Sequence, residues 1–329
     1  MAILLKNGLL DEIDSAKDRI DSKRLDYFVD RMHEDLEEQV IQNAGVHSDI
    51  ESQERRVSIV QNFRNAWEFS LKNYSGEIEL PYLQDVVGKL EPELCGPKMG
   101  HSQFRDRSVL PMKLGGVSFT APADRARVLE HLRRLREVLD KNSFHPVEEA
   151  ALTNLHLVRI QPFEAANKRL ANIVMNTILH TNGYFPLSLI GSNREAYLNY
   201  LGGAIKGFQN LSSVASDPLE AHTSIDISQS QFYEYLAQRE LSELRFAEDR
   251  LKGLHNYKVY LDVKDKGSLF AAKKRISAWF YRQKSPSQNR LDTSRRQLEV
   301  IGDIPYSVLN EILGSMNGLK YKIEDNGRH

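Results

Sequence analysis

The chain has 329 residues, 41% of them hydrophobic and 27% charged, which is typical of a soluble globular protein with a sizeable core. Its net charge of -1 argues against nucleic-acid binding over the whole surface, so any basic patch must be local. The single cysteine, Cys95, excludes an internal disulfide and a thiolate metal cluster. Since no apolar run reaches the ~18 residues of a membrane-spanning helix and no signal peptide is evident, we expect a cytoplasmic protein with no membrane partner.

The N-terminal third of the chain predicts helices. Apolar residues recur at helical spacing from Leu25 onward and again between Val46 and Lys72. A shorter helical pattern covers Leu80 to Leu90.

The next segment, 91–122, is rich in glycine and proline, which favours extended chain and turns. Within it, Val117, Ser118 and Phe119 alternate apolar and polar side chains, as in one arm of a β-hairpin. An amphipathic helix is then predicted from Ala123 to Asp140.

The stretch from Leu152 to Pro186 is the most informative part of the sequence. It predicts the end of a helix that begins at Pro146, a loop at 161–169, and a second helix. This second helix is apolar on nearly all sides, so it belongs in the centre of a bundle. The free N–H groups and the dipole at its N-terminus favour an anion at the loop.

The residue types in this loop suit a phosphate group. Ala165 and Ala166 let the backbone approach a ligand, and Asn167 can cap the helix or bind a phosphate oxygen. Arg169 supplies a fork-shaped donor and Lys168 a point charge. On residue types alone, an ordinary helix start with a solvated Lys-Arg pair is the simpler interpretation.

Order and spacing extend this interpretation. The loop resembles the core motif of the Fic (Fido) family, His-x-Phe-x-acid-small-Asn-Gly/Lys-Arg-x-x-Arg, which lies between two buried helices. The matching residues are Phe163, Ala166, Asn167, Lys168 and Arg169. With its flanks, the resemblance covers about Gly100 to Phe208. It implies a mostly α fold, a Fic-type helical bundle with a short β-hairpin flap at Val117, Ser118 and Phe119, to which we add a smaller C-terminal α(+β) unit.

The resemblance also implies a chemistry. Members of the family move part of a nucleotide, most often AMP from ATP, onto a protein hydroxyl. Their histidine acts as the general base, their acid holds Mg²⁺, and the loop amides, the asparagine and the last arginine hold the phosphates. By this resemblance the ligand would be ATP, Mg²⁺ a cofactor, and a target or regulatory protein the partner. The implied phosphate-binding positions are Ala166, Asn167, Lys168, Arg169 and Asn172.

The sequence departs from the motif at three positions. Gln161 stands at the position of the catalytic histidine and cannot act as a base, which typically costs ~10²–10⁴ in rate. Ala165 stands at the acid position and cannot bind metal, and Asn172 replaces the last arginine. Glu164, one residue early, is a candidate metal ligand or a solvated loop acid. His156 is a candidate substitute base or a structural helix histidine.

Two further features bear on activity. Lys168, in place of the commoner glycine, resembles the Doc branch, whose members phosphorylate a target. Ser48, Ile50 and Glu51 resemble the family's inhibitory helix, in which a glutamate pairs with the last motif arginine. Because that arginine is missing here, we interpret the segment as a relic of a self-inhibited transferase; the alternative is an unrelated exposed Glu51.

These patterns divide the chain into three parts. Residues 1–95 would form N-terminal helices with the inhibitory-helix-like segment near 47–52, residues 96–215 the Fic core, and residues 225–329 a C-terminal unit.

In the C-terminal unit we predict a strand at Tyr257–Val263, a loop at Ser285–Asn289, and helices at Leu269–Arg282 and Val308–Met316. Basic and aromatic residues alternate between 264 and 296, as a nucleic-acid surface would need. An amphipathic helix with its aromatic residues packed inward would show the same pattern.

Three functions are compatible with the sequence. We favour a catalytically degenerate Fic-fold protein that binds a nucleotide or phosphate, with impaired or non-standard transferase activity. The second is an active Fic/Doc-type nucleotidyl- or phosphotransferase that modifies a protein hydroxyl. The third is a nucleic-acid-associated regulator that acts through the basic C-terminal unit. The sequence does not indicate an oligomeric state.

Overall fold

The computed structural model describes residues 5, 7–20, 36–37, 50–95, 102–189, 191–214, 226–251, 255–262, 266–283, 287–292, 295–302, 304–316 and 319–328. Within these ranges the chain forms ten helices and two small antiparallel sheets, which confirms the predicted mostly α fold. The chain separates into two compact units: the first comprises Met1–Asp18 and Phe28–Leu244, and the second comprises Arg19–Tyr27 and Arg245–His329. The three-part division by sequence stays a prediction.

The first unit is helical apart from one hairpin. Its elements are α1 (Asn7–Asp18), α2 (Ile50–Asn73), α3 (Leu80–Leu90), a 3₁₀ turn (Pro92–Leu94), β1 (Met112–Leu114), β2 (Val117–Phe119), α4 (Arg125–Lys141), α5 (Pro146–Ile160), α6 (Asn167–Thr181), α7 (Gly191–Val214) and α8 (Ile227–Leu251), whose last turns belong to the second unit. None of the helices in the described ranges is long and apolar enough to cross a membrane.

Local sequence signals explain where α5 and α6 begin and end. At the start of α5, the backbone N–H of Val147 donates to His145 Nδ1 (3.2 Å) and that of His145 to Glu148 Oε2 (3.1 Å), forming a capping box ahead of Pro146. Helix α6 ends at Thr181 with Asn182 as its C-cap, and Gly183 follows with a φ of +80° that suits glycine. Between these ends α6 is buried except at Lys168 among Asn167–Leu179, which confirms its predicted central position.

The β1–β2 hairpin is short and is pressed against α7. Gly115 (φ +52°) and Gly116 (φ +79°) both have positive φ, as a two-residue type I′ turn requires, and they lie between the paired residues Leu114 and Val117. A Cβ on Gly115 would lie 2.4 Å from Asn199 Cα of α7. A Cβ on Gly202 of α7 would lie 2.3 Å from the carbonyl oxygen of Leu114. The backbones of the hairpin and of α7 therefore approach so closely at these two positions that only glycine fits. The predicted strand at 117–119 is confirmed.

The second unit is an α+β layer structure, as predicted. Its elements are β3 (His255–Asp262), α9 (Lys266–Gln283), β4 (Ser287–Asp292), β5 (Gln297–Gly302), α10 (Tyr306–Gly314) and β6 (Lys320–Arg328). The antiparallel sheet has the order β4-β5-β3-β6, which is the ferredoxin-like βαββαβ arrangement. Its core joins alternate residues of β3 and β5 to the inward faces of α9 and α10.

One prediction for this unit is wrong. Residues 287–289 were expected in a loop, but they begin β4, where Ser287 is paired with Gly302 and Asn289 with Val300 of β5. The strand is polar in sequence, so its pairing depends on the more apolar β5 beside it and not on a periodicity of its own.

Candidate functional site

The loop between α5 and α6 has an unusual backbone conformation at both ends. Gln161 ends α5 with φ +47° and ψ 66°, and Ala166 begins α6 with φ +63° and ψ 4°. Left-handed conformations at non-glycine residues cost of order 1–3 kcal/mol each, so surrounding contacts must hold them. They turn the chain so that the N-terminus of α6 is presented next to the end of α5.

Arg105 is the main contact that holds this loop. Its side chain is 2% exposed, and its backbone N–H donates to the carbonyl of Pro162 (3.0 Å). Its guanidinium donates to four backbone carbonyls, those of Gln161 (2.6 Å), Arg107 (2.7 Å), Pro122 (2.6 Å) and Ile160 (3.2 Å). Burial lowers the pKa of Arg105. One buried cation thus ties the end of α5 to the segments on either side of the hairpin.

The side chain of Asn167 forms hydrogen bonds within the loop. Its Oδ1 accepts from the backbone N–H of Phe163 (3.0 Å) and its Nδ2 donates to the carbonyl of Phe163 (2.8 Å). Phe163 is itself buried and stacks on Phe104, with ring centroids 5.0 Å apart. Of the two roles predicted for Asn167, the helix cap is wrong, because the cap position is Ala166, which has no side-chain oxygen, and the phosphate contact stays a prediction.

A cavity of about 170 Å³ opens at this point. It is lined by Met112, Gln161, Glu164 and the run Ala165–Arg169. The structure therefore brings together Gln161 and four of the five predicted phosphate-binding positions. Since Ala166 provides no side-chain cap, the first N–H groups of α6 have no side-chain acceptor from that position, and the residues that carry them line the cavity.

The flap contributes to the cavity through a residue that we did not predict. Met112 of β1 lines it, and Gln161 Nε2 lies 3.6 Å from Met112 Sδ. The predicted flap residues Val117, Ser118 and Phe119 are not part of the lining.

Two cations line the cavity. Arg169 is ion-paired with Glu91, at the end of α3, and burial together with the charge of Arg55 lowers the pKa of Arg169 to about 10. It therefore remains protonated at neutral pH. Burial and the nearby Arg194 also lower the pKa of Lys168, which forms no ion pair with any described residue.

Glu164 lies in the cavity wall but is already engaged. Its two carboxylate oxygens accept from Arg107 Nε (3.0 Å) and Nη2 (2.7 Å), and this hydrogen bonding lowers the pKa of Glu164. Ala165 offers no ligand atom, and no cluster of three His, Cys, Asp or Glu residues suited to a metal occurs in the described ranges. These residues do not fit a resident Mg²⁺ site.

Asn172 and His156 lie outside the cavity lining. Asn172 is buried, and its Oδ1 accepts from Asn154 Nδ2 (3.1 Å) and, at 3.5 Å, from the hydroxyl of Tyr197. His156 is buried edge-on against Phe208 at 4.8 Å. Both positions are typical of packing inside the bundle.

The inhibitory-helix-like residues lie at the edge of the described ranges. Ser48 lies outside the described residues. Ile50 and Glu51 begin α2, but their side chains lie outside the described part of the structure.

Sequence reasoning missed the importance of Arg105, Glu91 and Met112. No signal in the sequence identifies the carbonyl partners of Arg105, which are up to 56 residues away. Glu91 is 78 residues from Arg169, so no local pattern could reveal their pairing.

Comparison with known proteins agrees with this geometry. The Fic/DOC family model matches residues 83–179, which include the hairpin, α5, the loop and most of α6. The chain contains a Fic domain. A protein adenylyltransferase Fic of Drosophila mojavensis is 34% identical to the chain over 122 residues, which is 37% of this chain and 22% of that protein. Its counterpart in Aedes aegypti is 33% identical over 122 residues, which is 37% of this chain and 23% of the relative.

The chain thus matches less than a quarter of the length of these curated relatives. Among solved structures, a Fic domain containing signaling protein from Bacteroides thetaiotaomicron aligns with a TM-score of 0.53 and 18% identity. That alignment covers 74% of this chain and 94% of the other, and it supports the fold of the Fic domain.

The basic residues of the second unit lie on different elements within the described residues. Lys273, Lys274 and Arg275 lie on α9, whereas Arg295 and Arg296 lie between β4 and β5. On the sheet face away from the helices, lysines alternate with acids, and an example is Lys322, whose Nζ lies 2.7 Å from Glu324 Oε1. Nucleic-acid binding by 264–296 stays a prediction.

Proposed function

We propose that the α5–α6 loop binds phosphate groups, with a nucleotide such as ATP as the candidate ligand, and that transferase activity is impaired or non-standard. The observation that carries this proposal is the uncapped N-terminus of α6 at a small cavity that also contains Lys168 and Arg169. Backbone N–H groups at a helix N-terminus and two adjacent cations are the donors that a phosphate needs.

Impaired transfer follows from the titratable groups at the cavity. Gln161 has an amide and cannot take a proton from a target hydroxyl. Glu164 is the carboxylate in the wall, and its pairing with Arg107 lowers its pKa and makes it a weak base. Activation of a hydroxyl by either residue would therefore be inefficient, while binding of the phosphates would persist.

The alternative is an active transferase that modifies a protein hydroxyl, and it is supported by the adenylyltransferases among the relatives. Under both alternatives we propose a protein partner, as a target or as a regulated protein. The two alternatives differ in whether the protein transfers part of a nucleotide to its partner.

Calorimetric titration with ATP tests binding, and incubation of the chain with lysate and α- or γ-labelled ATP tests transfer. We expect wild type to bind and Lys168→Ala to bind about 10-fold more weakly, since a charged hydrogen bond contributes roughly 1.5 kcal/mol or more. Arg133→Ala, which removes an exposed arginine of α4, is the matched control. Labelled target bands that disappear with Lys168→Ala would favour the active transferase, and absence of any phosphate or nucleotide binding would refute the proposal.

A further inference from the structure

The ion pair between Arg169 and Glu91 lies directly behind the wall of the cavity. Arg169 lines the cavity and its Nη2 is bound to Glu91 Oε1, with only 9% and 16% of the two side chains exposed. The positive charge of Arg169, which would otherwise serve an anionic ligand, is therefore already matched by a carboxylate of the chain itself.

Glu91 is held in place by its backbone. It caps the end of α3, its N–H donates to the carbonyl of Val87 (2.8 Å), and its own carbonyl accepts from Leu94 (3.0 Å) in the following 3₁₀ turn. A carboxylate at a helix C-terminus faces the negative end of the helix dipole, so this position does not favour α3. Its favourable partner is Arg169, and the pairing fixes one negative charge beside the phosphate site.

The two carboxylates at the cavity, Glu91 and Glu164, are each paired with an arginine. Glu91 matches Arg169, and Glu164 at the wall is matched by Arg107. Among the lining residues, Lys168 is left as the cation without a carboxylate, whereas the nearby Arg55 and Arg194 are not part of the lining. The cavity, about 170 Å³, is also smaller than the roughly 300–1,000 Å³ typical of pockets that enclose a whole small molecule.

We propose that Glu91 is a specificity-determining residue that limits the negative charge the site accepts, so that the site prefers a single phosphate group over a triphosphate. The preferred ligand class is inorganic phosphate or a phosphate monoester such as a nucleoside monophosphate, whose phosphate enters the cavity while the remainder stays outside. This inference rests on the proposed phosphate-binding function. The chain of a triphosphate carries more charge than Lys168 and the N–H groups of α6 can offset while Arg169 is neutralised.

The test is a titration of the full chain with inorganic phosphate, AMP and ATP, comparing wild type with Glu91→Gln. The glutamine retains an oxygen that can accept from Arg169 but removes the charge. We expect the ratio of the dissociation constants for ATP and AMP to fall at least about 10-fold in Glu91→Gln. Glu93→Gln, which removes an exposed charge two residues away, is the control and should leave the ratio unchanged.

An unchanged ratio in Glu91→Gln, with binding retained, overturns the role of Glu91. Failure of wild type and Glu91→Gln to bind any of the three anions refutes instead the proposed function. The double variant Glu91→Gln with Arg169→Gln removes both charges together and covers the case in which the single variant does not fold. In the double variant a ratio at the wild-type value supports the inference, and a shift toward ATP overturns it.

Discussion

Replacement of Arg105 by methionine should destabilise the first unit severely. The guanidinium makes four hydrogen bonds to backbone carbonyls inside the protein, at 2.6 to 3.2 Å. Hydrogen bonds to charged groups contribute roughly 1.5–3 kcal/mol each, but carbonyls released at the loop regain some bonds to water. We therefore expect a net loss of about 3 kcal/mol in the free energy of unfolding, or roughly 6–12 °C in melting temperature for a unit of this size.

The two tryptophans allow this loss in the free energy of unfolding to be measured. Trp67 is buried in the first unit, and Trp279 belongs to the second, so a Trp279→Phe background leaves Trp67 as the reporter of the first unit. Urea unfolding followed by fluorescence then gives the unfolding midpoint of Arg105→Met. The control is Arg133→Met, which makes the same change at an exposed arginine. A difference between these variants below about 0.5 kcal/mol would show that Arg105 does not hold the loop, and the reasoning on loop geometry would fail.

Two other substitutions test the packing. Gly202→Ala places a Cβ 2.3 Å from the Leu114 carbonyl oxygen and should lower the free energy of unfolding by ~1–3 kcal/mol. Gly203→Ala, whose Cβ would lie 3.8 Å from its nearest neighbour, should be neutral or stabilising. Hydrogen exchange of the hairpin amides should be faster only in Gly202→Ala. Burial raises the pKa of Glu240 to about 8, so the folded state keeps a proton that the unfolded state loses, and stability should fall by up to ~1.4 kcal/mol per pH unit between about pH 5 and 8. Glu240→Gln, which can still accept from the Phe185 N–H, should make this decline shallower in urea unfolding at several pH values. Parallel pH slopes in both proteins would contradict the assignment.

Much of the fold follows from short-range signals in the sequence. Pro146 followed by Glu148 fixes the start of α5, and Gly115-Gly116 fixes a hairpin turn, because these residues act through their own backbone conformation and nearest hydrogen bonds. The apolar run of α6 likewise predicts a central helix without any knowledge of its neighbours.

The contacts that shape the site are not determined by neighbouring residues in the sequence. The cap position of α6 is Ala166 and not Asn167, whose side chain is hydrogen-bonded to the backbone of Phe163. Residue type alone does not distinguish an asparagine that caps a helix from one that binds a loop. Arg105 and Glu91 reach the loop from distant segments of the chain. Their roles depend on how the helices pack, which the periodicity of either segment does not specify.

The glycine contacts between the hairpin and α7 have a further consequence for the shape of the cavity. With Gly115 and Gly202 at their closest approach to the opposing backbone, β1 and α7 act as one fixed wall that carries Met112. We therefore expect a larger ligand to displace other parts of the lining before the hairpin. The exposed side chains of Arg107 and Glu164 can move into solvent, so variation in ligand size should be accommodated at that ion pair.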